Sequence, residues 1–201
     1  MASALGLAIL WVSGAALAQT AEGTSELVPE VVTRDLDGDD EIETVVLFRD
    51  AEGLLVRAEA DSDGDGLADM WATYGVDDEG RTTVELAVDL SGDSRPDEWR
   101  WSTAGVMTRI GRDTRDDGRP DAWSVLDEHG VVVEVRGDTD GDGEADTWST
   151  ISSTGRTERT AYDTTGDGRP DRWIYFAADG SITSIETDTN GDGEPDQVVR
   201  Q

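Results

Sequence analysis

A nine-residue acidic pattern, Asp-x-Asp-Gly-Asp-Gly-x-x-Asp, returns seven times along this chain, starting at Asp35, Asp61, Asp89, Asp113, Asp138, Asp163 and Asp188. The starts lie 26, 28, 24, 25, 25 and 25 residues apart. A fixed period in this range specifies a repeat array, in which each unit buries its apolar face only against its neighbours. Loop positions one, three, five and nine hold 24 acids out of 28, whereas 46 acids scattered over 201 residues would place roughly six there. The acids are therefore placed by position and not by composition alone.

Between loops the same order recurs: a β-type run, a small turn ending in Gly, and a second β-type run. Trp148 to Ser152, Ser153-Thr154-Gly155 and Arg156 to Tyr162 form one copy, and Trp173 to Phe176, Ala177-Ala178-Asp179-Gly180 and Ser181 to Thr187 another. Asp50-Ala51-Glu52-Gly53, Asp78-Glu79-Gly80 and Asp127-Glu128-His129-Gly130 fill the same turn slot. Short connections with Gly at the left-handed position suit hairpins built on a type I turn with a G1 bulge. Two strands of about six residues, a turn of about four and the nine-residue loop use up the period, leaving no room for a helix. The expected fold is all-β: tandem β-hairpin repeats of about 25 residues, joined by the acidic loops into an elongated meander or solenoid-like sheet of about 14 strands. Acidic loops should line one border and Gly turns the other. The spacing leaves an open sheet, a solenoid and a partly closed barrel as alternatives.

Alternate carboxylates in a tight loop are the chemistry of a hard cation. Calcium takes six to eight oxygen ligands, and Gly lets the backbone wrap around it. In the second loop the ligands are Asp61, Asp63, Asp65, the carbonyl of Leu67, and Asp69, with Gly64 and Gly66 between them. Asp138, Asp140, Asp142, Glu144 and Asp146 form the fifth set, and Asp188, Asn190, Asp192, Glu194 and Asp196 the seventh, where Asn190 supplies a neutral oxygen. The third and sixth loops keep Asp89, Asp93, Asp97 and Asp163, Asp167, Asp171, but Ser91 and Thr165 stand at position three, as Arg115 does in the fourth. Those three loops also carry Arg-Pro at positions seven and eight: Arg95-Pro96, Arg119-Pro120 and Arg169-Pro170. This co-occurrence suggests that Arg neutralises the Asp cluster in these loops as calcium does elsewhere. Calcium is least expected in the fourth loop, because of Arg115. The first loop, Asp35, Asp37, Asp39 and Glu43, has Asp40 where Gly is wanted and is expected to be weak. The competing reading is a set of solvated turns rich in Asp and Gly, which leaves the choice of alternate positions unexplained.

The loop resembles the EF-hand calcium loop over its first six positions, and more closely the shorter loops of FG-GAP and thrombospondin type 3 repeats, which use Asp at position nine. Position twelve, the bidentate Glu of an EF-hand, holds Val46, Ala72, Arg100, Ser124, Ser149, Ile174 and Val199, so the helix-loop-helix fold is not implied. The resemblance covers Asp35 to about Val198 and implies an exported bacterial calcium-binding repeat protein with a surface or matrix role.

Composition agrees. The net charge of −30, with 16 Arg and no Lys, calls for cationic partners and makes nucleic acid a poor one. The absence of Cys excludes disulfides and thiolate metal sites. Met1–Ala18 is uncharged, apolar from Leu5 to Leu17, and ends Ala16-Leu17-Ala18, which reads as a signal peptide over residues 1–18. Its apolar run is shorter than the roughly 20 residues a spanning helix needs, so no membrane span is expected after cleavage. Residues 19–30 read as a tail or linker and 31–201 as the seven-repeat array. The expected location is secreted, periplasmic or cell-surface.

Position eleven carries Trp71, Trp99, Trp123, Trp148 and Trp173, with Val45 and Val198 in the end copies. Either the indoles pack between repeats, or they form an exposed ladder, about 9.6 Å per step, on which sugar rings stack. Val at both ends favours packing. No enzyme is expected: His129 is the only histidine and sits in a turn, and there is no thiol nucleophile. The function this predicts is a calcium-binding structural or adhesive element, with cell-surface polysaccharide or another surface protein as partner. A carbohydrate-binding module using the Trp row is the alternative and a hydrolase the third class.

Overall fold

The computed structural model describes residues 27–35 and 42–201. The segment read as a signal, and Asp37 and Asp39 of the first loop, lie outside the described residues. The fold is all-β, with no helix among the described residues. The chain divides into two compact units between Gly105 and Val106. The first holds β1 (Val28–Arg34), β2 (Glu43–Arg49), β3 (Leu55–Asp61), β4 (Met70–Val76), β5 (Thr82–Val88) and β6 (Glu98–Thr103). The second holds β7 (Val106–Arg112), β8 (Ala122–Leu126), β9 (Val132–Gly137), β10 (Thr147–Ile151), β11 (Thr157–Tyr162), β12 (Arg172–Phe176), β13 (Ile182–Thr187) and β14 (Gln197–Arg200).

Within each unit every strand pairs antiparallel with its neighbour in sequence, the meander that the repeat grammar specifies. Among the described residues β1 pairs with β2 alone. It starts at Val28, inside the stretch read as linker, because an edge strand tolerates Pro29 with its missing N–H.

The short turns follow from Gly chemistry. At Asp50–Leu54 the Gly53 amide donates to the Asp50 carbonyl (3.0 Å), the Asp50 amide donates to the Leu54 carbonyl (2.9 Å), and Gly53 has φ +81°. This is a type I turn followed by a left-handed residue, and the register shifts next to it at Phe48/Arg49. The same bonds recur at Asp77–Arg81, Asp127–Val131, Ser152–Arg156 and Ala177–Ser181. Ala104 and Gly105, both at positive φ, shorten the remaining link to two residues.

Alternation along the strands sorts the first unit into two faces. Val45, Leu47, Leu55, Ala58 and Ala60 form its buried cluster, with Val32, Met70, Ala72 and Tyr74 packed against it. Full burial of a side chain such as Val45, 1% exposed, contributes about 1.5–3 kcal/mol. The opposite face carries the tryptophans: Trp71 lies opposite Glu59 and Ala87, and Trp99 opposite Ala87.

In the second unit the corresponding row runs Gly111, Trp123, Arg136, Trp148, Ala161, Trp173, Glu186, Val198. Trp148 and Trp173 thus flank Ala161, which is 1% exposed, while Trp123 and Trp148 flank Arg136. Trp99 and Trp173 are buried, and Trp71, Trp123 and Trp148 half-buried. This burial supports packing between repeats over an exposed ladder.

Candidate metal centre

Each acidic loop is itself a hairpin connection, from β3 to β4, β5 to β6, β7 to β8, β9 to β10, β11 to β12 and β13 to β14. The first Asp ends or follows the incoming strand, and its carboxylate gathers the loop around itself. In the second loop Gly64 N donates to Asp61 Oδ1 (2.7 Å) and Gly66 N to Oδ2 (3.0 Å). Asp138 receives Gly141 N (2.6 Å) and Gly143 N (2.9 Å), Asp163 receives Gly166 N and Gly168 N (both 2.7 Å), and Asp188 receives Gly191 N and Gly193 N (both 2.7 Å). Positive φ turns these amides inward, +89° at Gly141 and +94° at Gly143.

The third and fourth loops reach the same shape with side chains in that region. Ser94 N (2.6 Å) and Gly92 N (2.7 Å) donate to Asp89, with Ser94 at φ 68°. Asp116 N (2.7 Å) and Gly118 N (2.6 Å) donate to Asp113, with Asp116 at φ 60°. Six loops of different completeness therefore share one backbone scheme, and their hydrogen bonds alone account for it.

Positions three and five each cap the amide two residues on. Asp63 Oδ1 accepts from Asp65 N (3.1 Å) and Asp65 Oδ1 from Leu67 N (2.7 Å); Asp140 and Asp142 do the same for Asp142 N and Glu144 N, and Asn190 and Asp192 for Asp192 N and Glu194 N. Asp93 and Asp167 accept from Arg95 N and Arg169 N. Each capping carboxylate keeps an oxygen outside these bonds.

Three carboxylates come together at two places, Asp61, Asp63, Asp65 and Asp138, Asp140, Asp142, where one oxygen from each lies within 4.8 Å of the others. Oxygens that share one calcium at 2.3–2.6 Å can be no more than about 5 Å apart, so the spacing fits a single hard cation. Position nine is not part of either group. Asp69 Oδ2 accepts from Ser62 N (2.7 Å) and Ser62 Oγ (2.8 Å), and Asp146 Oδ2 accepts from Thr139 N and Oγ1 (2.7 Å). Asp171 and Asp196 take Thr164 Oγ1 and Thr189 Oγ1 (both 2.8 Å), and Asp121 takes Thr114 Oγ1 (2.7 Å). Asp97, facing Leu90, accepts backbone amides instead, from Leu90 (2.6 Å) and Ser91 (2.8 Å). Position two, Ser or Thr in five loops, was thus a functional position overlooked in the ligand pattern; its signal is that recurrence.

Adjacent loops are tied through their backbones. Asp89 N donates to Asp69 O, Asp138 N to Asp121 O, Asp163 N to Asp146 O (each 2.8 Å) and Asp188 N to Asp171 O (2.9 Å). Position nine of one loop therefore abuts position one of the next. Asp69, Asp89, Asp121, Asp138, Asp146 and Asp188 are all buried there.

The remaining sequence-selected residues are placed as follows. Glu43 is buried at the start of β2, and Asp35 is exposed at the end of β1. Leu67 is an exposed side chain. Glu144 directs its carboxylate to the neighbouring loop, where Oε2 lies 3.0 Å from the site a Cβ on Gly168 would take. Of the Arg-Pro residues, Arg95 pairs with Asp93 of its own loop (3.5 Å), whereas Arg119 and Arg169 form no ion pair among the described residues. Arg115 reaches Asp138 of the next loop (3.4 Å) and also pairs with Asp121 of its own (3.9 Å). Pairing of an arginine within its own Arg-Pro loop thus holds at Arg95 and, through Asp121, at Arg115, and not at Arg119 or Arg169 among the described residues.

The position-one carboxylates of Asp89, Asp113, Asp138 and Asp163 sit below the usual Asp range. Burial pushes each upward, and the converging amides outweigh it; at Asp138 the Arg115 guanidinium adds to them. At Asp188 the Gly193 amide is the largest cause of the same downward shift, and at Asp146 the Thr139 hydroxyl.

Compared with family models, the chain matches none. It matches no curated protein sequence either. The reading of function therefore rests on the loops themselves.

Proposed function

We propose that this chain is an exported calcium-binding repeat protein, a structural or adhesive element of the periplasm or cell surface. Its acidic loops take up calcium and stiffen the loop border of each β unit. The observation that carries this reading is the convergence of three carboxylate oxygens within 4.8 Å in the second and fifth loops. Hard, anionic oxygen donors on a Gly-rich turn suit calcium better than softer transition metals, which prefer imidazole or thiolate. The seventh loop, with Asn190 in place of the third Asp, keeps the same amide scheme and is the third site. Since the loop hydrogen bonds are complete without an ion, calcium acts here by relieving repulsion among clustered carboxylates. An exported role implies a surface polysaccharide or another surface protein as partner.

Calorimetric titration with calcium, followed by thermal melts with and without chelator, tests the proposal. About three ions should bind, with Kd near the 10⁻⁴–10⁻³ M of extracellular modules. At a hundredfold excess over Kd, each occupied site should add about 2.7 kcal/mol of stability. No heat and no shift in melting up to about 10⁻² M calcium would overturn it.

A further inference from the structure

The fourth and fifth loops are joined by a side chain that leaves its own turn. Arg115 stands at position three of the fourth loop, where complete loops carry a carboxylate, and its guanidinium crosses to the fifth. Nη1 lies 3.4 Å from Asp138 Oδ2 and Nη2 lies 3.4 Å from Oδ1. Nη2 also donates to the Asp138 backbone carbonyl, and Nε lies 3.9 Å from Asp121 Oδ2. Arg115 Nη1 would stand 3.4 Å from a Cβ placed on Gly141, so the cation lies over the turn of the fifth loop. The Asp138 side chain beneath it is only 3% exposed.

The second loop offers the contrast. Asp61, Asp63 and Asp65 form the same three-carboxylate group, yet no arginine pairs with any of them among the described residues. Two loops alike at positions one, three, five and nine, with the extra carboxylate of Glu144 directed to the neighbouring loop, thus differ in that one holds a counter-cation and the other does not. A guanidinium on Asp138 uses lone pairs that an incoming ion needs, and like charges within a few ångströms repel strongly in a partly desolvated site.

We propose that Arg115 is a tethered counter-cation of the fifth loop, which a divalent ion must displace, so that the second loop fills before the fifth. This rests on the calcium reading of the loops and adds a filling order to it. Arg115 is then a tuning residue and not a ligand. Removing it should convert the fifth loop to the behaviour of the second.

The amides of Gly66 and Gly143 donate to the position-one Asp of the second and fifth loops, so their NMR resonances report the two sites separately. The full chain is titrated with calcium chloride alone. In the unsubstituted protein the Gly66 midpoint should fall at lower calcium than that of Gly143. In Arg115→Gln the Gly143 midpoint should drop about tenfold or more, the scale of a charge-assisted contact removed, while Gly66 stays put. Arg115→Lys, which keeps the charge and loses the fork, should leave Gly143 the weaker site.

Equal midpoints in the unsubstituted protein would overturn the proposal without any variant. So would an unchanged Gly143 midpoint in Arg115→Gln, with Gly66 still responding and the calcium reading intact. If neither glycine responds up to about 10⁻² M calcium, ten times beyond the weak end of extracellular modules, the calcium reading fails together with it.

Discussion

Asp138 and Asp142 belong to the same carboxylate group, yet they should separate sharply when each is changed to Asn. Asp138 is 97% removed from solvent at its side chain's 3% exposure and receives two backbone amides, at 2.6 and 2.9 Å, as well as Arg115. Asn keeps one acceptor oxygen and turns an NH₂ group toward the other amide, so one charge-assisted bond is lost and a buried donor is left facing a donor. With about 1.5–3 kcal/mol for a hydrogen bond to a charged group, and the Arg115 pairing weakened too, Asp138→Asn should cost about 3 kcal/mol in chelator. Asp142 is exposed and caps a single amide, that of Glu144 at 2.8 Å, which Asn caps as well. Asp142→Asn should stay within about 0.5 kcal/mol in chelator, as surface changes do. Urea unfolding of both variants, with and without calcium, gives the comparison. In chelator only Asp138→Asn should shift the midpoint, while in calcium both should lose part of the ion-dependent gain. If the two variants are equally stable in chelator, the claim that position one organises the loop independently of metal is refuted.

Removing the position-two hydroxyl by Thr139→Val takes away its 2.7 Å bond to Asp146 and should cost about 1 kcal/mol in the same assay; no change would remove position two from the account. The lowered position-one carboxylates set an acid limit: their folded values lie below the unfolded value of about 3.9, so their stabilisation is complete above it and fades as pH falls through the folded values. Melting in chelator should therefore not fall between about pH 7 and 5 and should drop below about pH 4; a loss beginning near pH 6 would contradict those shifts. Trp173→Ala, at a site 9% exposed, should cost about 3–5 kcal/mol by opening a cavity beside Ala161. A cost below about 1 kcal/mol would restore the exposed ladder as the better reading of the Trp row.

The period, the short strands and the Gly turns were legible in the sequence because they depend on local chemistry: turn glycines at positive φ and a residue count that excludes helices. The alternation of carboxylates was legible for the same reason, since positions one, three and five of a tight loop face one centre whatever lies beyond it. Tertiary placement was not. Asp69 and Asp146 occupy a ligand position by spacing, but the neighbouring hydroxyls of Ser62 and Thr139 engage them, a competition that counting acids does not reveal. Arg115 shows the same limit: its position suggested its own loop, where it meets Asp121, and strand pairing also brings it to Asp138 of the next. Residues 28–30 read as part of a linker because the pattern of residues does not tell an edge strand from a tail.

The most direct measurement is a crystal structure of the protein grown in millimolar calcium. The account predicts an ion in the second loop, with oxygens of Asp61, Asp63 and Asp65 at about 2.3–2.6 Å. Water alone among those three carboxylates, at saturating calcium, would contradict it.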